Sequence, residues 1–97
     1  MPDERIAPDE FVLRAIRNLR DLTKSPGIHT VFDKMNDAYR AYYPEQGKDG
    51  PVVTVQRMVA EGKIDLIPAF RGVRIYIKGE VPASEMTGGK ALAKIVG

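Results

Sequence analysis

Residues 51–78 read PVVTVQRMVAEGKIDLIPAFRGVRIYIK, and this stretch decides the fold of the chain. Proline suits the first turn of a helix and glycine its end, so we predict a helix from Pro51 to Glu61 that Gly62 stops. Helical spacing places one set of residues on a common core face: Val52, Val55, Met58 and Val59. Valines also favour strands, so an extended segment over residues 52–55 is a competing interpretation.

A β-hairpin follows the predicted helix directly. Its strands are predicted from Ile64 to Pro68 and from Val73 to Lys78, with a turn over residues 69–72. The second strand alternates, so one set of side chains faces one way and a second set the other: Val73, Ile75 and Ile77 against Arg74, Tyr76 and Lys78. We expect Gly72 to supply the positive backbone angle of the turn, and Pro68 to keep its strand at a sheet edge.

Two amphipathic helices are predicted before this unit. The first begins near Pro8 to Glu10, ends at Ser25-Pro26-Gly27 and buries one apolar stripe: Phe11, Val12, Ala15, Ile16, Leu19 and Leu22. The second runs from about Thr30 to Tyr42, and Thr30 and Asp33 have the spacing of a capping box. The chain divides into an N-terminal arm (1–8) that we expect to be loose, one domain (9–80), and a tail (81–97) that is flexible or forms a short helix.

Composition bounds the classes of function. The chain has 97 residues, of which 43 % are hydrophobic and 29 % charged, which is ordinary for one globular domain. It has no cysteine, which excludes disulfides and thiol chemistry. The charged N-terminus lacks an apolar signal core, and no apolar run approaches the roughly 20 residues of a membrane span. We therefore expect a cytoplasmic protein without a membrane partner.

Catalytic and metal-binding patterns are weak. His29, the single histidine, has no nucleophile or metal-ligand spacing beside it, and we expect it to cap a helix or lie at the surface. Asp33 and Asp37 are one helical turn apart, which is more typical of a solvated face than of a cation site. The sequence predicts no enzyme activity, no cofactor, no metal and no small-molecule substrate.

From Phe11 to Lys78 the chain resembles the winged helix superfamily. The residues that carry the resemblance are the helix end MVAEGKI (58–64) and the hairpin PAFRGVRIY (68–76). The resemblance implies an α+β fold, namely a three-helix winged helix-turn-helix with a C-terminal β-hairpin wing. It also implies binding of double-stranded DNA and a role in transcription regulation.

The resemblance further implies that the third helix enters the major groove and the wing touches the backbone or minor groove. Arg57 would then read a guanine edge, with Thr54 and Gln56 beside it. Arg71 would lie at the wing tip, and the remaining bases would hold phosphates: Arg74, Lys78 and Lys48. A homodimer is expected, because two-fold sites double the contact of a small reader.

A different role for the same scaffold remains open. The net charge is only +2, and Val53 and Ala60 are predicted on the outward face of the third helix. Arg57 has a possible partner four residues on, Glu61, and Arg71 and Arg74 can simply keep a strand edge soluble. These features favour the alternative, a protein-interaction module in a larger complex.

Overall fold

The computed structural model describes residues 4–83 of the chain. Within these residues the chain forms three α-helices, three strands and a 3-10 turn at residues 44–46. In chain order these are α1 (Pro8–Leu19), β1 (Ile28–His29), α2 (Met35–Tyr42), the 3-10 turn (Pro44–Gln46), α3 (Gly50–Ala60), β2 (Ile64–Ala69) and β3 (Gly72–Ile77). The strands form one antiparallel sheet in the order β1-β3-β2. The chain is therefore an α+β protein, as the sequence predicts.

Helix α1 begins where the sequence predicts and ends earlier. Pro8 lies in its first turn with Asp9 and Glu10, whose charges complement the positive helix end. The helix stops at Leu19 because Arg20 has extended backbone angles. Val12 and Ile16 are fully buried, whereas Leu19 and Leu22 are exposed. The predicted stripe is therefore correct in its centre and wrong at its C-terminal end.

The predicted start of the second helix at Thr30 is wrong. The helix begins at Met35, because the preceding Lys34 has a left-handed φ of 67°, which breaks the helical pattern. Asp33 does not form the predicted capping box; its carboxylate accepts the backbone N–H of His29 at 2.7 Å. Ile28 instead joins the sheet opposite Ile75. No pattern in the sequence predicts this third strand.

Helix α3 is confirmed, and the competing strand over residues 52–55 is excluded. Gly62 has a φ of +74° and donates its N–H to Val59, so it ends the helix as predicted. The core face is rotated from the prediction, since its buried side chains are Pro51, Thr54, Val55 and Met58 while Val52 is exposed.

The hairpin agrees with the prediction to within one residue at each strand end. Ala69 pairs with Gly72, which leaves Phe70 and Arg71 as a two-residue turn. The positive backbone angle falls on Arg71 (φ 61°) and not on Gly72, contrary to the prediction. Gly72 is required for another reason: a Cβ there would lie 2.8 Å from Cε1 of His29.

One apolar core joins the helices to the inner face of the sheet. It contains Val12 and Ile16 of α1, Met35 and Tyr39 of α2, Val55 and Met58 of α3, and Ile28, Ile64 and Ile75 of the strands. Complete burial of each large aliphatic side chain contributes about 1.5–3 kcal/mol. Pro68 lies on β2, an edge strand, as its missing N–H predicts.

The outer face of the sheet is also partly covered. Tyr76 is fully buried there, because Gly27 packs against its ring so closely that a Cβ at Gly27 would lie 2.4 Å away. The Arg74 guanidinium donates to the Gly27 carbonyl and to the Tyr76 hydroxyl, both at 3.2 Å. The segment before β1 is thereby attached to β3.

The described part of the N-terminal arm is attached to the domain. The Arg5 guanidinium donates to the Tyr42 carbonyl at 2.7 Å and to the Glu45 carboxylate at 2.8 and 2.9 Å. The hydroxyl of Tyr43 donates to the Ile6 carbonyl. Residues 5 and 6 are thus not loose; the predicted tail (81–97) lies outside the described residues from residue 84 onward. No helix within residues 4–83 has the length and apolar character that a bilayer span requires.

Candidate interaction surface

A groove of about 270 Å³ lies between α3, the tip of the β2–β3 hairpin and the segment 30–36. Its walls are mainly aliphatic: Val31, Val52, Val55, Leu66 and Val73. Of these, Val55 belongs to the core and Val31 and Val52 are exposed. The α3–hairpin groove is therefore an opening of the core toward solvent, with valines on its edge.

Further exposed apolar residues are sequence neighbours of residues that line the groove. Val53 follows Val52 on α3 and is 60 % exposed, and Phe70 precedes Arg71 at the hairpin tip and is 74 % exposed. Phe32, also exposed, follows Val31. Exposed apolar side chains that form a contiguous patch are typical of interaction sites.

The polar lining of the groove contains a single charged side chain, Arg71. Thr30, Asn36 and Gln56 supply the other hydrogen-bonding groups. Thr30 is fixed against the hairpin, since its N–H and hydroxyl both donate to the Val73 carbonyl, at 3.0 and 3.3 Å. No carboxylate lines the groove within the described part of the chain, so its electrostatic character is positive.

His29 holds the hairpin tip beside the groove. It is buried, and its Nε2 donates to the Phe70 carbonyl at 2.9 Å. Its Nδ1 accepts the backbone N–H groups of Val31 and Phe32, at 3.2 and 3.0 Å. The Phe70 carbonyl can only accept, so Nε2 carries a proton, and Nδ1 carries none because it accepts two N–H groups. The ring is therefore the neutral tautomer with its proton on Nε2. The ring is buried, so the expectation of a surface histidine is wrong; its Nδ1 contacts are those of a cap, here on the turn after β1 and not on a helix. The ring thereby links two walls of the groove.

Arg57 lies away from the groove in a cluster of opposite charges. Its guanidinium donates to both carboxylate oxygens of Asp9 and to Glu61 at 2.8 Å, and Lys63 donates to Asp9 at 2.5 Å. The hydrogen bond from Arg57 lowers the pKa of Asp9 to about 2, and the Lys63 ammonium acts in the same direction. The same contacts raise the pKa values of Arg57 and Lys63. The cluster ties the start of α1 to the end of α3.

Thr54 is placed in the core and not on the outward face, which corrects the sequence prediction. Only 6 % of Thr54 is exposed, and its hydroxyl lies 2.6 Å from the hydroxyl of Tyr39. Tyr39 in turn donates to Oε1 of Gln46 at 2.6 Å, so Thr54 donates to Tyr39. The hydroxyl of Thr54 is used inside the protein.

Arg74 and Lys78 are also held by partners away from the groove. Arg74 lies on the outer face of the sheet, bonded to Gly27 and Tyr76 as described above. Lys78 donates to the Asp65 carboxylate at 2.9 Å, next to the backbone N–H of Gly79. Both contacts lower the pKa of Asp65, and the hydrogen bond from the Gly79 N–H has the larger effect.

Of the seven residues predicted for DNA contact, the structure brings only Gln56 and Arg71 to one site. Lys48 is exposed in the loop before α3, and its carbonyl accepts from Arg40 at 2.9 Å. Sequence reasoning missed Thr30, Val31 and Asn36, because it placed them within one continuous helix. The two-residue strand β1 and the left-handed Lys34 interrupt that helix, and neither has a local signal in the sequence.

No protein-family model matches the chain, and neither a curated protein nor a solved structure matches it. Across residues 4–83, no group of three or more acidic or histidine side chains is arranged to hold a metal ion. The surface of the described residues that combines concavity, apolar walls and an unpaired charge is the α3–hairpin groove.

Proposed function

We propose that the chain is a protein-interaction module on a winged-helix-like scaffold, and that it binds a partner protein through the α3–hairpin groove. The order of three helices followed by a hairpin supports the scaffold. The observation that carries the function is the apolar character of the groove and of its edge, where Val31 and Val52 are exposed. Protein interfaces have apolar centres of this kind, with an arginine and polar groups around them.

The charge distribution supports the same role. The third helix offers one base on its exposed face, Arg57, and two carboxylates already neutralise it. Arg74 and Lys78 have partners elsewhere on the molecule. A continuous basic face, which nucleic-acid binding would require, is not formed by these residues.

A variant comparison tests this proposal. The full chain is immobilised and exposed to a nuclease-treated extract of the source cells, with Val52→Asp and Leu22→Asp as variant baits. Val52 lines the groove, whereas the control Leu22 is 69 % exposed and does not line it. We expect a protein retained by the wild type and Leu22→Asp and lost with Val52→Asp. Equal retention by all three baits, or retention that nuclease abolishes, would refute the proposal.

Double-stranded DNA binding is the second candidate function. It is favoured by the position of Gln56 and Arg71, which border one groove between the third helix and the hairpin tip. A gel-shift titration at low salt tests it, with Arg71→Ala, Gln56→Ala and, as control, the exposed Arg17→Ala. DNA binding predicts affinity that falls with salt and is lost in the first two variants. A chain that binds no duplex, or variants that all bind alike, would exclude it.

Homodimerisation is proposed on a separate surface. A shallow depression of about 300 Å³ between α1 and α2 is lined by Ile6, Phe11, Ala15, Leu19 and Ala38. A second copy covering it would bury Leu19, which is exposed. Light scattering should give a dimer for the wild type and a monomer for Leu19→Asp. A wild type that remains monomeric at high concentration would contradict this role of α1.

A further inference from the structure

The turn requires a positive φ at residue 71, but it does not require an arginine there. The backbone of Arg71 lies in the left-handed region (φ 61°), where glycine and asparagine are favoured, although a glycine is the next residue. Its side chain lines the α3–hairpin groove. Its guanidinium lies 5.1 Å from the centre of the Phe70 ring and makes no ion pair with residues 4–83.

A strained backbone at an exposed side chain points to a role for that side chain. Glycine at residue 71 would relieve the backbone, so the turn alone does not account for an arginine there. The ring of Phe70 packs against the guanidinium and orients it, since arginine stacks readily on aromatic faces. The guanidinium is thus presented at the groove, and none of its donors has a partner among residues 4–83.

We propose that Arg71 binds a carboxylate of the partner, and that the partner segment is an acidic peptide that inserts an aliphatic or aromatic side chain into the α3–hairpin groove. This inference rests on the protein-binding role proposed above. Arginine pairs with carboxylates through two parallel hydrogen bonds, which gives orientation as well as attraction. The groove offers no carboxylate of its own among the described residues that would compete.

The size of the groove favours a side chain over a small-molecule ligand. Its volume of about 270 Å³ is below the roughly 300–1,000 Å³ of pockets for drug-sized ligands. Its aliphatic walls, which include Val31 and Val73, offer few hydrogen-bonding groups to phosphates or bases. An apolar side chain can fill the groove while a neighbouring acid reaches Arg71, with Thr30, Asn36 and Gln56 available to the peptide backbone.

The test is selection of random peptides displayed on phage against the full chain. Three baits are compared: wild type, Arg71→Glu and the control Arg17→Glu, which makes the same charge change on the exposed side of α1. Wild type and Arg17→Glu should enrich peptides with Asp or Glu at a fixed spacing from a large apolar residue. Peptides selected with Arg71→Glu should lack this acidic residue and should carry Lys or Arg at its position.

Affinities of the selected peptides complete the test. Arg71→Gly, which suits the backbone angle and so keeps the fold, should bind the wild-type peptides about ten- to a hundredfold more weakly. Peptides that are blocked by Val52→Asp but carry no enriched acid would overturn the inference and leave the groove as a binding site. If no peptide is enriched, or if peptides bind Val52→Asp unchanged, the proposed function fails as well. Preferential binding of duplex DNA through Arg71 would replace the peptide with a nucleic acid.

Discussion

Replacement of Asp9 by asparagine should destabilise the protein by detaching α1 from α3. The carboxylate of Asp9 accepts from Arg57 and Lys63, and these contacts lower its pKa from 3.8 to about 2. A shift of this size corresponds to at most about 2.4 kcal/mol of folding stability. Asp9 is 25 % exposed and Arg57 44 %. Solvent therefore screens the pair, and we expect a loss of about 1 kcal/mol, or about 4–8 °C in melting temperature.

The pH dependence gives this prediction its sign. The folded-state pKa of Asp9 is lower than the unfolded one, so its contribution is complete above about pH 4 and is lost as the pH falls through about 2. Urea unfolding of wild type and Asp9→Asn should differ at pH 7 and converge near pH 2. The matched control is Glu10→Gln, which removes the same charge from the same helix turn but breaks only the exposed pair with Arg14. Equal losses for both variants, or a loss that persists below pH 2, would refute the reasoning.

Three further predictions concern buried groups. Tyr39→Phe removes the hydroxyl that pairs with Thr54 and should lower the free energy of unfolding in urea by about 1–3 kcal/mol. The double variant Tyr39→Phe with Thr54→Val should recover part of this loss. A double variant no more stable than the single one would contradict the hydrogen bond. Gly27→Ala forces a Cβ to within 2.8 Å of the Ile75 carbonyl and should lower stability by about 1–3 kcal/mol, whereas unchanged thermal melting would show that the segment can move. Long-range ¹H–¹⁵N NMR at neutral pH should find the proton of His29 on Nε2, and a proton on Nδ1 would exclude its contacts with residues 31 and 32.

The elements that could be predicted are those whose signals are local. Pro51 and Gly62 mark the ends of α3, and alternation marks β3, so the helix and the hairpin are found at nearly correct positions. The strand β1 has two residues, too few for a pattern, and it exists only because β3 pairs with it. The predicted helix over residues 30–34 fails for the same reason, since its residues are held by the hairpin and not by each other.

The candidate site could be predicted only in part. Arg71 and Gln56 follow from the hairpin tip and from the wheel of α3. The partner of Arg57 on α1 could not be foreseen, because Asp9 lies 48 residues away in the chain. The helical wheel that assigns Val52 to the core places Thr54 outward, whereas the core face of α3 is rotated and Tyr39 of α2 bonds the buried hydroxyl.

The central position of β3 has a consequence for the order in which the chain folds. Its pairing with β2 closes a two-residue turn, whereas its pairing with β1 closes a long loop that contains α2 and α3. Closing the longer loop costs more chain entropy before any contact is gained. We therefore expect the hairpin in the folding transition state and β1 absent from it, so that Ile28→Val accelerates unfolding while Ile75→Val also slows folding.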